Sequence, residues 1–156
     1  MRKRVIRPIP QSFRPQEGWL NLDGAALVEV TSEEKDYPVE SALVSAETRG
    51  WRAASPGTQN LRLIFDEPQR LRRIRLVFEE TETERTQEFL LRWSADGGRS
   101  FREIVRQQWN FSPPLTIREV EEYQVELSDV TVLELIIVPN NSGGADRASL
   151  KSLRVS

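Results

Sequence analysis

The chemistry open to this chain is set first by what it lacks. Its 156 residues include no histidine and no cysteine. That removes the commonest general base, the commonest metal ligand, and both serine–histidine and cysteine–histidine nucleophilic chemistry. A zinc site would need carboxylates alone, an unusual donor set. What remains for catalysis is a carboxylate pair or an activated lysine, and lysine occurs only at Lys3, Lys35 and Lys151. The adjacent pairs Glu79-Glu80 and Glu121-Glu122 lie in strand-like stretches. Neighbours on a strand point to opposite faces, so neither pair makes a two-carboxylate site by itself. The sequence reads as non-enzymatic, with no metal and no cofactor.

The residues that could bind are of a different kind. Trp109-Asn110-Phe111, followed by Ser112-Pro113-Pro114, reads as a stiffened loop with an aromatic–amide–aromatic triplet. Sugar recognition uses a flat apolar face against a pyranose and planar polar groups against its hydroxyls. The triplet supplies both, and the prolines lower the ordering cost of binding. Its other reading is structural, with Trp109 and Phe111 plugging the end of a core. Arg52, Arg85, Asn140 and Asn141 also fall in segments read as loops. Each offers hydroxyl-reading donors or acceptors, or alternatively a surface ion pair or a turn cap. Arg62, Arg70, Arg72, Arg73 and Arg75 could line up as a polyanion-binding patch. Glu79, Glu80, Glu82, Glu84 and Glu119, Glu121, Glu122, Glu126 are the neutralising partners across strands. The neutralised surface is the expectation, and nucleic acid is not the expected partner.

The elements that must position these residues are strands. Leu61, Leu63 and Phe65 alternate with polar or outward positions, as do Ile74, Leu76 and Phe78, and then Phe89, Leu91 and Trp93. Such period-2 runs, ended by turn residues, mark half-buried strands. Asp66-Glu67-Pro68 is read as the break between the first two, because proline cannot donate to a ladder. Asp96-Gly97-Gly98 is read as a hairpin turn with positive-φ glycines. Residues 25–31, 101–107, 118–127, 132–138 and 148–155 read as further strands. Ser41-Ala42-Leu43-Val44 reads as a short turn packing one edge. About eight strands with turns at short spacing and no long helix point to an all-β sandwich or jelly roll. Ser94 to Phe101 has the spacing of an Asp-box turn, read as structural.

One domain is expected from length, with residues 1–18 as an extended basic lead-in and 19–156 as the β-domain. Residues 1–16 carry Arg2, Lys3, Arg4, Arg7 and Arg14 and no acid, so the remaining chain is acidic against an overall net charge of −2. No apolar run is long enough to cross a bilayer. The absence of cysteine, and of an apolar segment behind the basic start, favours a reducing, cytoplasmic setting.

The order of segments carries more. VEVTSE, YPVESAL, GWRAA, QNLRLIFDEPQRLRRIRLVF, EFLLRWSADGGRSFREIV, LELIIVP and SLKSLRV occur in sequence. This pattern, over residues 25–156, resembles the discoidin, or coagulation-factor type C, domain of the galactose-binding-like superfamily. The carrying parts are four: Tyr37-Pro38 with Ser41-Ala42-Leu43, Trp51 as a core tryptophan, Leu61 to Ile74 with its acidic–proline corner, and Trp93-Ser94 to Gly98. The resemblance implies an eight-stranded jelly-roll sandwich that binds carbohydrate, lipid head group or protein, without catalysis, through loops at one end. It also implies that loop arginines and asparagines read hydroxyls, a role that falls to Arg52, Arg85, Asn140 and Asn141. The chain departs from the family in lacking its terminal cysteine pair. It also has Val44-Ser45 after Ala42-Leu43, where the family has a carboxylate beside a structural calcium.

Two functions follow as expectations. The first is a carbohydrate-binding module in which Trp109→Ala abolishes binding without unfolding. The second is an intracellular protein–protein or assembly module that uses a sheet face or the basic arm.

Overall fold

The computed structural model describes residues 18–44 and 49–156. The basic arm, including Phe13 and the prolines Pro8, Pro10 and Pro15, lies outside the described residues, as does Ser45. The described chain is an antiparallel β-sandwich of eight strands: β1 (Ala26–Val30), β2 (Trp51–Pro56), β3 (Gln59–Glu79), β4 (Arg85–Ser94), β5 (Arg102–Phe111), β6 (Arg118–Val138), β7 (Arg147–Leu150) and β8 (Ser152–Val155). Two one-turn helices join them, α1 (Leu22–Ala25) and α2 (Glu40–Leu43). The second buries Ser41, Ala42 and Leu43 against the core, as the apolar island implied.

The number of strands matches the expectation, but the partition does not. The acidic–proline corner fails to end a strand. β3 runs 21 residues through Pro68, because the β3–β6 ladder is irregular between Ile64 and Gln69 and needs no N–H there. β6 is equally long and bends beside the same place, where Asp129 takes φ 57°. The segment 148–155, read as one strand, divides: β7 pairs with β2, while β8 pairs with β3.

This double bend makes the sandwich. Residues 59–64 and 132–137 pair in one layer, ordered β1-β3-β6-β4-β5. Residues 73–79 and 118–124 pair in the other, with β8 on the far side of β3. The layers meet through a core of Leu61, Leu63, Ile74, Leu76, Phe78, Phe89, Leu91 and Leu135, and Phe78 and Phe89 lie 5.2 Å apart between ring centroids. Trp51, at 2% exposure, is a core tryptophan. Each run of buried alternating residues removes apolar surface from water at about 25 cal/mol per Å2, which is what selects this register over a one-residue slip.

The β4–β5 hairpin turn is as read. Gly97 and Gly98 take φ 77° and 95°. Asp96 accepts from the Ser94 and Ser100 hydroxyls and from the Arg99 and Ser100 amides. Three arginines of the patch are neutralised: Arg70 pairs with Glu126 at 3.2 Å, and Arg73 and Arg75 both approach Glu122. Arg62 leaves that group altogether. It sits on the opposite layer, where Arg62 and Arg92 cover the buried carboxylate of Glu134.

Candidate functional site

Three connections converge at one end of the sandwich: 80–84 between β3 and β4, 112–117 between β5 and β6, and 139–146 between β6 and β7. The Glu80 amide donates to the Ile117 carbonyl at 2.8 Å, and the Asn141 amide donates to the Thr86 carbonyl at 2.9 Å. These bonds tie the three connections to the strand ends.

Arg85 is the first residue of β4 and is 3% exposed, so it is not the loop residue that the sequence suggested. Its Nε donates to Glu80 Oε1 at 2.7 Å, and its Nη1 donates to Gln87 Oε1 at 3.2 Å and to the Pro139 carbonyl at 2.8 Å. The guanidinium carbon lies 4.9 Å from the centroid of the Phe111 ring. Burial pushes the Glu80 carboxyl up. Hydrogen bonds from Arg85 and from the Glu82 and Thr83 amides outweigh that and hold it below the usual value.

The triplet Trp109-Asn110-Phe111 is not a loop either. It ends β5, paired with Gln87, Thr86 and Arg85 of β4. Strand alternation then divides its members. Phe111 is fully buried and plugs the end of the core. Trp109 points to the same inner face, half-buried against the core, and its Nε1 has no hydrogen-bond partner among the described residues. Asn110 alone faces out, and its Oδ1 accepts from the Thr86 hydroxyl at 2.6 Å.

Arg85, Thr86, Asn110, Phe111, Asn140 and Ser142 line one cleft of about 250 Å3. Four of the seven sequence candidates are therefore brought together there. Asn140 spans the cleft's rim: its Nδ2 donates to Asp146 Oδ2 at 2.8 Å, and its Oδ1 accepts from the Ser142 amide at 3.0 Å. Asn141 is exposed beside it and contributes its backbone tie to Thr86. Arg52 is not a loop residue either, because pairing with Ser149 of β7 holds it on β2. It lies apart, exposed in a neighbouring cleft of about 440 Å3, with its guanidinium 4.2 Å from the centroid of Tyr37 and 3.8 Å from Glu34.

Beneath the first cleft lies a polar network between the layers. Gln87 Nε2 donates to Glu119 Oε1 at 3.4 Å. The Tyr123 hydroxyl donates to Gln107 Oε1 at 2.8 Å, and the Gln107 amide donates to Glu121 at 3.0 Å. Burial, reinforced by the adjacent Glu121 carboxylate, pushes Glu119 up to about 8. Burial and Glu121 also raise Tyr123. Sequence reasoning tested adjacent carboxylates and missed this pair. The usable signal was the i, i+2 spacing of Glu119 and Glu121 on one strand, which puts both on one face. Ser142 and Arg147, which line the two clefts, were missed as well, and Tyr37 was marked only as part of the family pattern and not as a site residue. Among the described residues no group of three or more acidic side chains is arranged to hold a metal ion.

No protein-family model matches the chain, and no curated protein matches it in sequence. Solved structures do match it in shape. The CBM32 of AlyQ in complex with 4,5-unsaturated mannuronic acid is similar at 12% identity and a TM-score of 0.61, over 83% of this chain and 93% of that one. The family 32 CBM from C. perfringens NanJ in complex with galactose is similar at 15% identity and a TM-score of 0.57, over 83% and 92%. Reduced XRCC1 bound to the DNA pol beta catalytic domain is similar at 14% identity and a TM-score of 0.58, over 85% and 97%. The chain thus shares the β-sandwich fold of these structures.

Proposed function

We propose that this protein is a non-catalytic carbohydrate-binding module whose ligand sits at the end of the sandwich formed by Arg85, Thr86, Asn110, Asn140 and Ser142. The observation that carries the reading is the convergence of Thr86 from β4, Asn110 from β5, and Asn140 and Ser142 from the 139–146 connection on one cleft. Their amide and hydroxyl groups read vicinal hydroxyls. Arg85 and Phe111 form the floor and position the rim. Trp109 acts from beneath, by packing. The fold shared with sugar-binding modules supports the same reading, as an analogy of architecture.

A glycan array probed with the intact protein, beside Asn110→Ala and Asn140→Ala, tests it. The expected result is binding to a defined set of glycans, lost in both variants with unchanged thermal stability. Binding indifferent to both substitutions would place the ligand elsewhere. The second reading, an assembly module, is supported by the similar fold seen bound to another protein. It predicts a blank array with the same folded protein.

A further inference from the structure

The cleft at Asn110 is small and its neighbour is adjacent. At about 250 Å3 it falls below the ordinary range of small-molecule sites, about 300–1,000 Å3. The cleft at Arg52 and Tyr37, about 440 Å3, lies across a thin partition. Two contacts make up that partition, each with one partner lining either cleft: Asn140 with Asp146, and Arg85 with Glu80. Both clefts are rimmed by the same two connections, 80–84 and 139–146.

Their charge is balanced. The larger cleft is lined by four basic residues, Arg49, Arg52, Arg147 and Lys151, and by four acids, Glu79, Glu80, Glu82 and Asp146. The smaller has Arg85 and Glu84. Arg52 and Arg147 are both held on Glu34, at 3.8 and 2.8 Å. Such a surface is dense in donors and acceptors but has no net field for an anion.

It also lacks an exposed aromatic platform. Among the described residues the exposed large apolar side chains are Leu27, Val44, Leu115 and Val120, none of them aromatic. Phe111 and Trp51 are buried, and Tyr37 already carries the Arg52 guanidinium. Without a stacking face, affinity for one sugar rests on hydrogen bonds that are each small once exchange with water is counted. A ligand long enough to collect them from both clefts gains where a single sugar does not.

Resting on the carbohydrate reading, we infer that the two clefts form one extended site for a neutral oligosaccharide, laid across the Asn140–Asp146 partition, with Arg52 and Tyr37 as its second subsite. Calorimetric titration of the intact protein with neutral oligosaccharides of one to six units, from the series that binds best on the array, tests this. Affinity is expected to rise at least tenfold from the monosaccharide to the tri- or tetrasaccharide and then level off. Arg52→Ala is expected to remove most of that gain while leaving monosaccharide binding unchanged, and Asn110→Ala to weaken every length. Arg106→Ala, on the outer sheet face, serves as the unchanged control. Equal affinity at all lengths overturns the extended site and leaves the carbohydrate reading standing. Tighter binding of uronate oligomers than of neutral ones overturns the assignment to neutral chains. Failure of every glycan to bind overturns both readings.

Discussion

Arg85 donates through Nε to Glu80 at 2.7 Å while its side chain is almost completely withdrawn from solvent. One wall of the cleft is therefore an ion pair built into the sandwich. It also gives the arginine a fixed direction, with Nη1 holding the Pro139 carbonyl at the start of the Asn140 turn.

Truncating that arginine leaves the half-buried Glu80 carboxylate without its partner and frees the 139–146 connection. Arg85→Ala is expected to cost about 2–4 kcal/mol in urea denaturation. In a double-mutant cycle, Glu80→Ala in the same background should add less than it does alone. Strict additivity would show that the pair contributes nothing beyond its two side chains.

Glu119 gives the stability a pH dependence of definite sign. Its folded carboxyl holds a proton up to about 8, whereas the unfolded chain releases it near the ordinary glutamate value of 4.5. Between those limits the folded state binds more protons, so this group's contribution falls as pH rises. Arg85, Gln87, Glu121 and Tyr123 surround it. Glu119→Gln copies the protonated form, so it should leave stability at pH 4 unchanged and raise it by about 1–3 kcal/mol at pH 9. An equal effect at both pH values in urea titrations would contradict the assignment.

Trp109 separates packing from hydrogen bonding. Its indole N–H has no partner among the described residues, so Trp109→Phe should be neutral or slightly stabilising. Trp109→Ala opens a hole between the layers and should cost about 1–3 kcal/mol. The sequence alone suggested that this truncation would abolish binding without unfolding. The strand geometry predicts that a lowered melting temperature comes first, checked by calorimetry on both variants.

Gly50 enters β2 with φ +79°, and a Cβ there would lie 2.6 Å from the Leu150 carbonyl oxygen and 2.9 Å from the Lys151 Cα. Both are backbone atoms that cannot swing aside. Gly50→Ala is expected to destabilise by at least about 2 kcal/mol. Gly57→Ala, with equally positive φ and open space, should cost less, and thermal melts of the pair check the difference.

The strands were legible because burial imposes period 2, and Leu61 to Phe65 or Phe89 to Trp93 cannot satisfy any other period. Element ends were less so. Pro68 signals a break, yet a bent ladder with a missing N–H position absorbs it, and only the partner strand reveals that gap. The same limit governed the site. Asn110, Arg85 and Asn140 were legible as candidates for reading hydroxyls. Their grouping depends on the Thr86–Asn141 tie and on which face of β5 is buried, and these are long-range facts. Trp109 and Phe111 were drawn into a loop because Pro113-Pro114 follows them. In the fold the strand outlasts the apolar signal and the prolines begin only after it.

The most direct test of the account is a backbone amide shift map of the protein, recorded with the glycan that binds the array most strongly. Shifts are expected to concentrate at Thr86, Asn110, Asn140, Asn141 and Ser142 and to be reduced by Asn110→Ala. Shifts confined to the outer face around Arg62, Arg92 and Glu134, or spread without pattern, would contradict it.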